Sequence, residues 1–126
     1  MFFLHREGQT LIHRETGMKI SLDLHPLSLN NCYSGRRFST KAKKVYDRTL
    51  QLLLPKSKVE GPYYTVTLRF FLERPFQGDL DNLAKVLIDN IVDRGIISND
   101  RNVVEIHLYK KCAPKDRIEI TVESLT

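Results

Sequence analysis

The alternation of hydrophobic and polar residues predicts four half-buried strands. In residues 18–25 every second side chain is apolar. A period of two places those side chains on one face of a strand and the polar ones on the other. The same pattern recurs in residues 63–72, 102–111 and 117–124. A turn at residues 112–116 joins the last two strands.

A helical pattern follows the first strand. Ser39 or Thr40 can cap a helix that runs to about Leu54, because a hydroxyl there accepts from the first free backbone N–H groups. Pro55 ends this helix, since proline has no N–H to donate. The predicted buried stripe consists of Val45, Leu50 and Leu53.

A second helix is predicted from Asp81 to about Val92. Its apolar residues are spaced i, i+3, i+4 and i+8, which is typical of an amphipathic helix. Gly95 is well placed to cap its carboxyl end. The residues that form the predicted stripe are Leu83, Val86, Leu87 and Ile91.

The predicted fold class is α+β, with the order β-α-β-α-β-β and the helices packed on a mixed sheet. No repeat or low-complexity linker divides the 126 residues, so we expect one domain over 1–126. Residues 1–16 are assigned less specifically: a small hairpin around Glu7 and Gly8, a loose arm and an extension all fit the pattern.

Composition narrows the class of protein. Hydrophobic residues make up 41% and charged residues 28% of the chain, as in ordinary globular proteins. No apolar run is long enough to cross a bilayer, and no secretory signal is recognisable. Cys32 and Cys112 lie far apart and belong to no metal motif, so two reduced thiols are expected. We therefore expect a cytoplasmic protein with no membrane partner and no organic cofactor.

The charges are divided unevenly along the chain, whose formal net charge is +5. Residues 31–74 hold ten Lys and Arg against three acids, a net of +7. Residues 75–107 hold three Lys and Arg against six acids, a net of −3. A basic surface attracts a polyanion such as DNA. Carboxylates beside a polyanion suggest a cation between them, although an uneven solvated surface fits the same composition.

The acidic residues gather around the second helix. Asp81, Lys85 and Asp89 are spaced i, i+4 and i+8, so they follow one face of it. Asp79 lies just before the helix, and Asp100 lies between the helix and the next strand. A strand that returns beside the helix would bring Asp100 towards the helix start. Three carboxylates would then converge.

Two interpretations of these residues stay open. Carboxylate oxygens are the ligands of Mg²⁺, and such ions activate water for phosphodiester cleavage while a nearby lysine stabilises developing charge. Alternatively, Asp79 or Asp81 is a helix cap, and Lys85 with Asp89 is a surface ion pair. Spacing alone does not separate metal chemistry from helix capping.

The run DLDNLAKVLID (79–89), followed by NDRNVVEI (99–106), resembles the signature of RusA-type Holliday junction resolvases. The upstream run PLSLNNCYSGRRFSTKAKKVY (26–46) is also similar to that family, and the likeness covers about residues 18–124. The resemblance implies a small homodimeric endonuclease that cuts four-way DNA junctions by paired nicks with Mg²⁺, or with Mn²⁺.

The resemblance also implies roles for individual residues. Asp79, Asp81 and Asp100 match the family's metal-binding carboxylates, and Lys85 matches its functional lysine. Asn82 and Asp89 match motif positions without an assigned role. The sequence departs from the family at Asn99, where an aspartate is usual, and at Gly78, where a basic residue is common; Arg69 and Arg74 are upstream substitutes.

The implied partner is branched DNA. Tyr33, Phe38 and Phe76 are candidates for stacking on a base, and each fits ordinary packing equally well. Two alternative functions remain: a junction-binding protein with weak catalysis, and a nuclease of flaps and other branched DNA. The candidate DNA-binding residues are Arg36, Arg37, Lys41, Lys43, Lys44, Arg69 and Arg74.

Overall fold

A computed structural model of the protein describes residues 2–6, 9–14, 17–35, 38–74 and 78–125. Eight strands and two α-helices are present in this part of the chain. In chain order they are β1 (Phe2–Arg6), β2 (Gln9–Arg14), β3 (Gly17–Leu22), β4 (Tyr33–Ser34), β5 (Phe38–Ser39), α1 (Lys41–Leu53), β6 (Tyr63–Leu72), α2 (Leu80–Arg94), β7 (Val103–Cys112) and β8 (Arg117–Leu125).

Six strands form one sheet in the order β1-β2-β3-β8-β6-β7, and β4 pairs with β5 in a separate ribbon. All neighbours are antiparallel except β6 and β7, which are parallel and connected through α2. A parallel pair needs such a crossover, because a short turn reverses the chain direction. The predicted α+β class with a mixed sheet is confirmed.

One face of the sheet carries the core. Ile20, Ile120 and Leu68 are fully buried, and their strands pair so that these residues lie side by side. Along β6, buried residues alternate with partly exposed ones. The buried side chains of α1 and α2 join those of the sheet in one hydrophobic cluster. Both helices therefore pack on the same face.

The first helix begins where the sequence predicts. The hydroxyl of Thr40 accepts a hydrogen bond from the backbone N–H of Lys43 at 3.2 Å, so Thr40 is the cap. The predicted burial of Val45 is wrong, because this side chain is 52% exposed. Tyr46 and Leu50 are the buried residues, and the spacing i and i+4 gives them one face of the helix that excludes Val45.

The second helix agrees closely with its prediction. All four residues of its apolar stripe are buried. Gly95 ends the helix with φ of +88°, the left-handed conformation that glycine adopts readily, and its N–H donates to carbonyls of the last turn. None of the helices in the described part of the chain is long and apolar enough to span a membrane.

The sheet is larger than predicted at the amino-terminal end. β1 and β2 pair as an antiparallel hairpin, which is one of the arrangements expected for residues 1–16, and β2 extends the sheet beside β3. The expected turn residues Glu7 and Gly8 lie outside the described residues. Both cysteines are free: Cys32 is buried and Cys112 is exposed.

Two leucines of α1 test this core. Leu50 is fully buried, whereas Leu52 is 67% exposed. We expect Leu50→Ala to lower the free energy of unfolding by about 2–5 kcal/mol, because it leaves a cavity. Leu52→Ala should change it by less than about 0.5 kcal/mol. Urea denaturation measures both, and equal losses in the two variants would contradict this packing.

Candidate functional site

The entrance to α2 places Asp79 at the N-cap position. Its backbone is extended, with φ of −81° and ψ of 144°, and its carbonyl accepts from the N–H of Leu83 at 3.0 Å. Within the described residues, the Asp79 carboxylate makes no capping hydrogen bond to the helix. The helix therefore does not engage this carboxylate, and side-chain capping by Asp79 does not explain its presence.

Asp81 and Asn82 lie in the first turn of the same helix. Asp81 is exposed, and Asn82 is half-buried. A carboxylate in the first turn is stabilised by the partial positive charge of the helix amino terminus. Asp81 therefore stabilises the start of the helix, and its carboxylate is exposed to solvent.

Lys85 is the centre of a charged cluster. Its ammonium donates to Asp89 Oδ1 at 2.9 Å and lies 4.0 Å from Asp100 Oδ2. All three side chains are about half exposed. The hydrogen bond with Asp89, and the charges of Asp89 and then Asp100, raise the pKa of Lys85 above its ordinary value. The ammonium therefore stays protonated at neutral and mildly alkaline pH.

Asp100 is held by a short turn rather than by a strand. It begins a 3-10 turn, Asp100–Asn102, and Asn99 caps this turn. The Asn99 Oδ1 atom accepts from the backbone N–H of Arg101 at 3.0 Å. Asn99, one of the departures from the resolvase pattern, is thus used as a cap that fixes the segment presenting Asp100.

The three predicted metal ligands do not form a ready-made cage. In the described stretches of chain, no group of three or more His, Cys, Asp or Glu side chains is placed to hold a metal ion. The sheet explains the separation. Asp79 follows the carboxyl end of β6, whereas Asp100 precedes the amino end of β7, and these ends are opposite because the strands are parallel.

The donor chemistry nevertheless fits a hard divalent cation. Mg²⁺ takes oxygen ligands and is often held by one or two carboxylates together with substrate phosphates. Asp79 and Asp81 provide carboxylates at the start of α2. The Lys85 ammonium between Asp89 and Asp100 shows that a positive charge is already stabilised on the same helix.

A cleft of about 490 Å³ lies between α1, α2 and the segment that precedes α1. Both Asp89 and Asp100 reach its wall, so the cleft adjoins the charged cluster. Its other lining residues include Tyr33, Lys43, Asp47 and Asn90.

A polar network closes the floor of this cleft. Asn90 is buried, and its amide nitrogen donates to Asp47 Oδ1 at 2.9 Å and to the Val86 carbonyl at 3.0 Å. Its amide oxygen accepts from Gln51 at 3.1 Å. Lys43 completes the network through a hydrogen-bonded ion pair with Asp47, which raises the pKa of Lys43. These contacts connect α1 to α2.

This network was not among the sequence predictions, although Asn90 carried a signal. It is an amide on the buried face of an otherwise apolar stripe, and a buried amide needs partners. The i,i+4 spacing of Lys43 and Asp47 in α1 was the second signal.

The candidate DNA-binding residues do not share one surface. Lys41 and Lys44 are exposed on α1, whereas Lys43 is engaged with Asp47. Arg69 alternates with buried residues of β6, so it lies on the opposite face of the sheet from the helices, 5.2 Å from the ring of Tyr109. Arg74 is exposed after β6. Arg36, Arg37 and Phe76 lie outside the described residues.

Comparison with known families identifies the chain. Residues 31–123 match the family described as Endodeoxyribonuclease RusA. The chain belongs to the RusA endodeoxyribonuclease family. Membership implies the nuclease activity of a Holliday junction resolvase, which acts on branched DNA in recombination. Resolvase nucleases generally depend on divalent metals.

Other comparisons are less informative. Solved structures of the periplasmic domain of MotB are similar to this RusA-family chain at low identity. One, from Helicobacter pylori, shares 14% identity with a TM-score of 0.41 and covers 94% of this chain and 83% of that chain. Another shares 15% with a TM-score of 0.44 and covers 94% and 69%. No curated protein matches the chain.

The region that matches the RusA family includes the charged cluster, both helices and all lining residues of the cleft except Leu29. The resemblance that the sequence motif indicated is therefore confirmed at the level of the family.

Two asparagines of α2 test the network. We expect Asn90→Ala to lower the free energy of unfolding by about 1–3 kcal/mol, because it removes the side-chain hydrogen bonds that join Asn90 to Asp47, Gln51 and the Val86 carbonyl. Asn82→Ala, in a half-buried position of the same helix, should cost less than about 0.5 kcal/mol. Thermal and urea unfolding measure both changes. An Asn90→Ala variant as stable as the wild type would show that the network does not secure the helices.

Proposed function

We propose that the protein is a homodimeric, Mg²⁺- or Mn²⁺-dependent endonuclease that resolves four-way DNA junctions by paired nicks in the cytoplasm. The observation that carries this proposal is the cluster on α2, where the Lys85 ammonium joins Asp89 to Asp100 from a separate turn. Membership of the RusA family supports the reaction class. A two-fold enzyme suits the proposal, because it offers two active sites to a two-fold substrate.

In the proposed site, Asp79 and Asp81 would hold a divalent cation at the start of α2, and Asp100, on the opposite edge of the sheet, would act beside Lys85 instead of on the same ion. Bound there, such an ion supplies a water of lowered pKa and stabilises charge on phosphate oxygens. Asp79 and Asp81 suit this role because one is not used as a cap and the other is exposed on the first turn. Asp100 suits its place beside Lys85 because the cap at Asn99 fixes its backbone.

Lys85 has a different role in the proposal. Asp89 keeps its ammonium charged and oriented along the helix face through the 2.9 Å hydrogen bond. As the phosphodiester bond begins to break, a phosphoryl oxygen competes for the same N–H donors. Lys85 then stabilises the negative charge that develops on the phosphoryl oxygens as the bond breaks.

The basic end of α1 is proposed to hold the DNA backbone. Lys41 and Lys44 are exposed there, and Arg36 and Arg37 precede them in the chain. We assign Arg69 no contact with DNA at this site, because it lies on the opposite face of the sheet. Lys43 contributes through Asp47 and the network between the helices instead.

The first test is cleavage of a mobile four-way junction with Mg²⁺ or Mn²⁺. We expect paired nicks from the wild type and at least a 100-fold slower rate from Asp81→Asn, with junction binding retained, because the amide cannot serve as an anionic ligand. Asp23→Asn is the control, since Asp23 is exposed in the loop after β3. Its rate should equal that of the wild type.

The other outcomes select other functions. Tight junction binding without cutting in either metal would make this a junction-binding protein. Equal rates on junctions, flaps and other branched DNA would make it a broader branched-DNA nuclease. Full activity of Asp81→Asn would remove this residue from the site and return it to a helix-terminal role.

A second test concerns Lys85. Lys85→Met keeps the apolar stem and removes the charge. We expect the cleavage rate at saturating enzyme to fall about 100- to 1000-fold while junction affinity changes little, since the ammonium acts on charge that develops in the transition state. Lys115→Met, in the exposed turn before β8, is the matched control. A loss of affinity equal to the loss of rate would instead assign Lys85 to DNA binding.

A further inference from the structure

Lys110 reaches from the sheet to the entrance of α2. In the β6–β7 ladder it pairs with the buried Phe70, so its side chain leaves the sheet on the face that carries the helices. Its ammonium donates to the Gly78 carbonyl oxygen at 2.8 Å. That carbonyl belongs to the peptide bond between Gly78 and Asp79. A lysine from a distant strand thus contacts the segment that presents the first proposed metal ligand.

Position 78 cannot readily carry a charged side chain itself. Gly78 has φ of +82°, a conformation that strains other residues, and a Cβ there would lie 3.2 Å from the Leu83 side chain. The positive charge that lies beside the start of α2 therefore comes from another part of the chain. Lys110 supplies it through space.

The ammonium has more donors than this contact uses. A lysine offers three N–H donors and no acceptor, and the Gly78 carbonyl takes one of them. Lys110 is half-buried, and within the described residues its ammonium makes this one hydrogen bond. Lys110 is therefore placed to donate hydrogen bonds both to the backbone of the proposed site and to an anion beside it.

We propose that Lys110 is a positioning and phosphate-binding residue of this nuclease. It fixes the peptide that precedes Asp79 and donates a second hydrogen bond to a DNA phosphate next to the cut. This inference rests on the proposed function. It also accounts for the glycine where the RusA pattern has a basic residue, and it replaces Arg69 and Arg74 as the compensating charge.

The neighbouring residue provides a matched control. Lys111 pairs with Phe71, so it lies on the other face of β7, and it is exposed. Lys110→Met removes both the anchor and the charge, and Lys110→Gln keeps an N–H donor without the charge. Lys110→Arg keeps the charge. Lys111→Met removes an equal charge from the same strand.

The experiment measures junction affinity against salt concentration, together with the single-turnover cleavage rate. We expect the slope of log K against log salt to fall in magnitude by about 0.9 in Lys110→Met and Lys110→Gln, the value for one lost phosphate contact. Lys110→Arg should restore the slope, and Lys111→Met should leave it unchanged. The rate should fall about 100-fold in Lys110→Met, because a displaced site costs about that much.

Amide hydrogen exchange at residues 79–83 separates anchoring from phosphate binding. Faster exchange in Lys110→Met than in Lys110→Gln is the expected result. A slower cleavage rate with an unchanged salt slope would make Lys110 a backbone anchor only and overturn the phosphate contact. Should Lys110→Met fail to fold, Lys110→Gln and Lys110→Arg carry the same comparison.

The inference and the proposed function fail in different ways. A wild type that neither binds nor cuts junctions would overturn both. An active wild type, beside a Lys110→Gln variant indistinguishable from Lys111→Met in slope and rate, would overturn the role of Lys110 alone.

Discussion

The packing of α2 against the sheet is the contact on which the candidate site depends. Leu87 and Ile91 are fully buried against strands of one face, and each such side chain contributes about 1.5–3 kcal/mol when it leaves water. Burying this stripe fixes the rotation of the helix about its axis. Asp81, Lys85 and Asp89 must then face solvent together. The charged face is a consequence of the apolar one.

Buried polar groups fix the relative position of the two helices more narrowly than apolar contact alone. Hydrophobic burial is not directional, so two helices on one sheet face can slide relative to each other. The amide of Asn90 is directional, and its three contacts with Asp47, Gln51 and Val86 allow one arrangement. Lys43 adds an ion pair to Asp47 within that network. The cleft beside Asp89 therefore has a defined floor.

Much of this fold could be predicted from periodicity, because burial on one face imposes it. The strand at residues 63–72 has the predicted bounds, and α2 has the predicted stripe and cap. Val45 was misassigned because a helical stripe is set by i and i+4 neighbours, and Tyr46 was not counted among the apolar residues. The pairing of β6 with β7 depends on contacts between segments, which no local pattern contains.

The residues of the candidate site could be predicted from the sequence better than their arrangement in space. The proximity of Asp100 to Lys85 agrees with the expectation that the chain returns towards the helix. Convergence of all three aspartates would require a strand that begins beside the helix start, and a parallel strand begins at the far end. The position of Arg69 could have been predicted, since it alternates with buried Leu68 and Phe70. Asn99 caps the turn that begins at Asp100, and its position in the sequence motif did not indicate this role.

The two free cysteines give the protein a built-in pair of chemical reporters. Cys112 is exposed at the end of β7, whereas Cys32 is buried and burial raises the pKa of its thiol. Only a thiolate reacts with alkylating reagents. Alkylation of Cys112 therefore measures the accessibility of the folded surface beside Lys110. Alkylation of Cys32 measures how often the segment before α1 separates from the core.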